Sequence, residues 1–186
     1  MSMSVHAIDA YSMLPGIAMA GYFMSYTSVT TWPTFMAYIL MCLVSMRYHF
    51  KKNDPAACDD ETLRRCFKHD TLAQQVALCC LVAYSPYGGA MVMLLLPFAT
   101  IIALANADVT ENSESALVYG ASFLNCILAA LSLDSSQRIC MMMEMVGVYI
   151  VFNIDKFYKK NKFTHGIFHL LVHHVTYTAW SLLGVI

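Results

Sequence analysis

The sequence predicts an all-α membrane protein built as a bundle of seven transmembrane helices. Three observations predict it. First, only 12% of the 186 residues are charged while 59% are hydrophobic, and the mean hydropathy is +0.56. A soluble domain is typically about 45–50% apolar and about 25% charged, so this chain has too little charge to cover a water-facing surface. Second, seven stretches have the roughly 17–25 mostly apolar residues that a helix needs to cross a bilayer. Third, if those stretches cross in turn, ten of the eleven Lys and Arg residues fall on one side. The same composition argues against a disordered chain and a secreted disulfide scaffold. A net charge of −1 leaves no basic surplus for phosphate backbones, so nucleic acid is not an expected partner.

The seven stretches are residues 10–29, 32–50, 70–86, 88–107, 115–133, 138–154 and 165–186, read as a single domain covering 1–186. Thr30, Thr31 and Pro33 make a short turn after the first. Lys51 to Lys68 is a long charged loop. Ser85-Pro86-Tyr87-Gly88-Gly89 is a dense turn signal. Asp108 to Glu114 is acidic, Asp134 to Gln137 is a short polar turn, and Asp155 to Thr164 carries four lysines. The first ten residues lack the basic region of a signal peptide and the arginines of a transit peptide.

Charge placement supports this count. One side holds Arg47, Lys51, Lys52, Arg64, Arg65, Lys68, Lys156, Lys159, Lys160 and Lys162; the other holds Arg138 alone. The positive-inside rule then puts the N-terminus in the cytosol or a matrix-like compartment and the C-terminus across the membrane. The organelle is not specified.

Of the seven cysteines, Cys42, Cys79, Cys80, Cys126 and Cys140 lie in apolar runs, where a thiol acts as a small hydrophobe. Cys58 and Cys66 share a polar loop and could pair in an oxidising compartment. There is no CxxC, which argues against a zinc ribbon or a thioredoxin-like site. The 14 methionines read as packing filler, and Trp32 and Trp180 as residues of interfacial belts.

Ionisable groups inside apolar spans are costly and are therefore functional candidates. Ser45 and His49 lie four apart at the end of the second stretch, on one helix face. The third opens with His69 and Asp70, followed by Gln74 and Gln75. The seventh carries His165, His169 and His173 as a stripe at i, i+4, i+8, with His174 beside it. Under the seven-span topology His49, Asp70, His165 and His169 fall near one membrane face. Neutral imidazoles suit zinc, and a catalytic zinc takes three protein ligands plus water. His49, His165 and His169 are the expected ligands. Asp70 would hold or deprotonate the water, and Ser45 would bond it or a developing oxyanion.

Each residue alone has a plainer reading. HxxxH often just sits at the headgroup interface, Ser45 could be a packing serine, and Asp70 could be a helix cap. The conjunction is harder to explain that way. His173 and His174 fit an outer shell or a pore as well as ligation, and a bis-histidine haem remains open. Glu144 lies toward the opposite face, as a proton relay or a buried interhelical group.

Ser45-x-x-x-His49, then Asp70, then His165-x-x-x-His169, on the second, third and seventh spans, resembles the CREST superfamily of seven-helix membrane hydrolases. Phe163-Thr-His165-Gly-Ile-Phe-His169 and the long loop before Asp70 look most like its branch of myomaker and post-GPI-attachment phospholipase relatives. The resemblance implies one zinc on three histidines, with Asp70 and Ser45 as the water-orienting pair. It also implies cleavage of a lipid amide or ester by zinc-activated water. Membrane lipids are then the expected partners. Two other functions compete. One is a non-catalytic subunit of a larger membrane assembly, such as one in the mitochondrial inner membrane. The other is a myomaker-like fusion protein, which the charge bias disfavours because that branch is expected to keep its N-terminus outside.

Overall fold

The computed structural model describes residues 5–54, 59–84, 133–157 and 164–186, together with residues 99, 101, 102, 124, 126, 127 and 129–131. Every regular element among them is helical. The expected stretch 88–107 lies almost wholly, and 115–133 mostly, outside the described residues, as do Cys58 and most of the lysines of 155–164.

The first stretch is not one helix. It begins at Val5 and is split into α1 (Val5–Tyr11) and α2 (Leu14–Met24) by a turn at Ser12 and Met13. Pro15 explains the break. It has no N–H for the Tyr11 carbonyl, and its ring clashes with that carbonyl, so the chain restarts with Pro15 in the first turn of α2. A short 3-10 turn (Val29–Thr31) leads into α3 (Trp32–Asn53), which runs three residues past the expected end.

The helix of the third expected stretch, α4 (Asp60–Tyr84), starts ten residues before it. Much of the expected charged loop is therefore helix. Arg64 and Arg65 pair with Glu61 at i+3 and i+4, which lets that polar segment stay helical. The next described helix, α5 (Ser135–Phe157), extends the expected 138–154 at both ends. The last, α6 (Thr164–Leu182), ends four residues early in a Schellman cap. Gly184 has a φ of +69°, Val185 N–H bonds the Trp180 carbonyl at 2.8 Å and Gly184 N–H bonds the Ser181 carbonyl at 3.2 Å.

Contacts between side chains give the directions. Tyr11 meets Phe50 and Phe23 meets Phe35, so α1 and α2 run antiparallel to α3. Ser45 faces Asp70 and Tyr48 meets Phe67, so α3 opposes α4. His49 meets His165 at one end and Phe35 meets Trp180 at the other, so α3 opposes α6. Phe152 meets Phe168 and Glu144 meets Thr178, so α5 opposes α6.

An aromatic group closes the end away from the histidines. Trp180 is 1% exposed and sits edge-on to Phe35 and Tyr38, with ring centroids 4.8 and 5.1 Å apart. It is a core residue, not the interfacial belt residue expected from the sequence. Trp32 remains partly exposed.

Two segments among the described residues, Val29–Asn53 and Ser135–Ile154, are long and apolar enough to cross a membrane. Residues of α5 at Ile139, Met143, Val146, Tyr149, Ile150 and Ile154 form an exposed apolar stripe at helical spacing.

Two helix starts carry carboxylate caps. Asp59 accepts the Thr62 N–H at 2.6 Å, and Asp134 accepts the Gln137 N–H at 2.9 Å and the Ser136 hydroxyl at 2.8 Å. These backbone N–H bonds hold both carboxyls below the usual carboxylate value of 3.8. A depressed folded pKa contributes stability above the unfolded pKa and loses it as pH falls through the folded one. The difference in unfolding temperature between the wild type and Asp59→Ala/Asp134→Ala is therefore expected to be constant above about pH 5 and to shrink progressively as the pH falls through the lowered folded pKa values. A difference that persists at the acid end of the titration would refute it.

Candidate metal centre

The backbone directions bring the C-terminal end of α3, the N-terminal end of α6 and the helix α1 to one place. His49 arrives from α3, and His165 and His169 from successive turns of α6. The ligating nitrogens of the three lie within 4.8 Å of one another. The ring centroids are 5.1 Å apart for His49 and His165, 5.1 Å for His49 and His169, and 4.6 Å for His165 and His169. His49 and His169 are each 4% exposed, and His165 is partly exposed. Three such residues could hold a metal ion.

Hydrogen bonding fixes which nitrogen of His169 is available. Its Nδ1 lies 2.7 Å from Ser12 Oγ and 3.2 Å from the Asp9 carbonyl oxygen. The Ser12 hydroxyl donates its own proton to that carbonyl at 2.6 Å. Nδ1 therefore carries the hydrogen and donates, and Nε2 keeps its lone pair for a metal. This is the usual device that fixes a ligand's tautomer.

His173 is different. Its Nε2 stands 2.9 Å from the Ser12 carbonyl and must donate to it, and its Nδ1 accepts from the Tyr38 hydroxyl at 2.6 Å. Both nitrogens are committed, so His173 does not ligate. It bonds the carbonyl that the break before Pro15 leaves exposed and ties that break to α3. Gly16 makes room for it, since a Cβ there would lie 2.5 Å from His173 Cε1.

Asp70 and Ser45 approach the same place from α4 and α3. Asp70 is 5% exposed, flanked by Ser45, Gln74 and His165, and Ser45 is 1% exposed. Ser45 Oγ and Asp70 Oδ1 are buried without a hydrogen bond among the described residues. Leaving a buried polar atom unbonded costs about 1–3 kcal/mol. Two such atoms beside three imidazoles mark a place shaped for a polar ligand.

The donor set fits zinc. Three imidazoles are a borderline-soft donor set of the kind zinc takes, and His49, His165 and His169 would be the residues to hold it.

Glu144 and His174 lie elsewhere, on the α5–α6 flank. Glu144 Oε1 accepts from Thr178 at 3.3 Å and stands 3.5 Å from His174 Nε2. Both are interhelical groups. Cys66 is a buried free thiol.

The residue that sequence reading missed is Asp9. It lies one position before the expected first span, yet it is 2% exposed, and its Oδ2 stands 4.0 Å from His49 Nδ1. The available signal was an acidic residue, followed by Ser12 at i+3, at the edge of an apolar run.

A cavity of about 240 Å³ reaches His169, one of the three histidines. Ser45, Gln74 and His169 line one end, Ala179 and Trp180 the other, and Met141 and Met145 of α5 one side. Its wall is mostly apolar. Tyr149, which is 63% exposed, also lines it, so the cavity borders the outer face of α5. Comparison with protein-family models, with curated proteins and with solved structures returns no match.

Proposed function

We propose that the protein is a membrane-embedded, zinc-dependent hydrolase that cleaves a lipid amide or ester, as the resemblance to the CREST superfamily implies. The observation that carries this reading is the apolar cavity whose wall includes His169 and Ser45. It would hold an acyl chain with its carbonyl group at the histidines. A non-catalytic subunit has no need of such a space, and this favours the enzyme over that alternative and over a fusion protein.

His49, His165 and His169 would hold the ion. Zinc at such a site supplies a Lewis acid that polarises a carbonyl and lowers the pKa of a water to about 7. Asp70 Oδ1 would orient the attacking water, take its proton and pass it to the departing nitrogen or oxygen. Ser45 Oγ–H donates to the oxygen of the carbonyl under attack, where negative charge develops. The apolar wall excludes bulk water and aligns the chain.

The membrane setting is supported by the exposed apolar stripe on α5, a surface suited to lipid tails. Seven spans are supported by direction. Because α4 and α6 both oppose α3, and α5 opposes α6, α4 and α5 run opposite ways. The end of α4 and the start of α5 therefore lie at the same end of the bundle, as the seven-span count requires. Arg47, Lys51, Lys52, Arg64, Arg65 and Lys68 lie at the histidine end, which by the positive-inside rule faces the cytosol or a matrix.

The test is fatty-acid release from lipid amides and esters of graded chain length, read by mass spectrometry, with purified zinc-loaded protein in detergent. Ala77 lines the cavity and is 9% exposed. Ala77→Phe is expected to cut kcat/KM for long chains about tenfold or more and to spare short ones. Release no greater than from His165→Ala/His169→Ala would sink the hydrolase.

A further inference from the structure

The short helix α1 grips two of the three histidines with two different groups of one residue. The backbone carbonyl of Asp9 lies 3.2 Å from His169 Nδ1, and its carboxylate Oδ2 lies 4.0 Å from His49 Nδ1. The side chains of His49 and Asp9 are 5% and 3% exposed. A carboxylate buried this deeply is costly unless donors hold it. α1 packs on α6 at Gly166, where an added Cβ would stand 3.5 Å from Ile8, 3.8 Å from Ser12 and 3.9 Å from Asp9, at ordinary contact distances.

We propose that Asp9 is a positioning residue of the metal centre: its carboxylate takes the Nδ1–H of His49, fixing the tautomer that turns Nε2 toward the ion. This rests on the three-histidine zinc site proposed above. The chemistry follows from the ring. Imidazole has one hydrogen to place, and with Nδ1 facing a carboxylate it is placed there. A cation on Nε2 then polarises the Nδ1–H and strengthens its bond to the carboxylate. The 4.0 Å separation is longer than a hydrogen bond, and contacts of this kind tighten when the site is loaded. His169 is held in the same way by Ser12 Oγ and the Asp9 carbonyl, so α1 sets the ring orientation of one ligand from each of two helices. That explains why a buried acid stands in a helix that itself contributes no ligand.

The test is metal affinity, not turnover. Wild type, Asp9→Ala and Asp9→Asn are titrated with cobalt(II) in detergent against a competing chelator. The visible absorption band is followed, and the unfolding temperature of each metal-free protein is measured. Loss of an outer partner typically costs 10–100-fold in affinity. Asp9→Ala is expected to lose that much and to shift the band. Asp9→Asn keeps the volume and an accepting oxygen without the charge, so it is expected to fall between the two while unfolding at the wild-type temperature. If Asp9→Ala is too unstable to compare, the Asn variant decides alone. Both variants binding within threefold of wild type would overturn the role of Asp9 and leave the metal site standing. A wild-type chain that takes up neither cobalt nor zinc would overturn the site itself and this role with it.

Discussion

Replacing His165 and His169 together by Ala is expected to take bound zinc from one ion per chain to none, read by elemental mass spectrometry of the purified protein. The two residues supply two of the three nitrogens that lie within 4.8 Å of one another, and His49 alone cannot hold the ion. Ala is a better helix former than His, so α6 keeps its backbone and the loss is not one of helix. Stability gives a second readout. A ligand that binds only the folded state stabilises it by about 4 kcal/mol at a thousand times its dissociation constant. Added zinc should therefore raise the unfolding temperature of the wild type and leave the variant unmoved. His174→Ala is the control. That histidine is exposed on the α5 side, beside Glu144, and its removal should leave the stoichiometry at one. Zinc retained by the double variant, or lost in the control, would show that the ion sits elsewhere.

The three histidines and their two polar neighbours are legible in the sequence because α3, α4 and α6 are regular helices. Spacing of four places His165 and His169 on one face, and alternating direction puts that face level with His49 and Asp70. The first helix is not legible in the same way. An apolar run of 20 residues from Ala10 reads as one continuous span, although Pro15 lies within it. In the structure Pro15 opens the chain at Ser12, and the opened turn is what meets His169 and His173. Asp9 escapes notice for the same reason, since a residue before a span reads as part of a water-exposed tail. The polar start of α4 is misread in the other direction. Its charges suggest a loop, whereas Glu61 with Arg64 and Arg65 pairs along a helix. The role of His173 depends on two partners, Ser12 and Tyr38, which lie 161 and 135 residues away in sequence. No local pattern carries that information.

Gly16→Ala tests the most constrained of those contacts. The added Cβ would meet His173 Cε1 at 2.5 Å, His173 Nδ1 at 2.6 Å and Cys42 Sγ at 3.0 Å. Real carbon contacts do not come this close, so something must move. His173 cannot swing aside freely, because the Ser12 carbonyl holds one nitrogen and the Tyr38 hydroxyl the other. Overpacking of this kind costs about 1–3 kcal/mol, and each buried partner left unbonded adds about 1–3 kcal/mol. Against this stands a gain of about 1 kcal/mol from replacing Gly by Ala in a helix. The net expectation is destabilisation by about 1–3 kcal/mol, seen as a lower unfolding temperature in detergent. Because Ser12 also orients His169, zinc affinity should fall about tenfold in the same variant. Gly166→Ala is the matched comparison. It also lies in a helix beside the metal residues, but its nearest atom would be 3.5 Å from the new Cβ, an ordinary contact. It should unfold at or slightly above the wild-type temperature and bind zinc normally. If Gly16→Ala matches it in both measurements, the bracing of the opened first helix by His173 is wrong, and with it the physical reason for a glycine at that position.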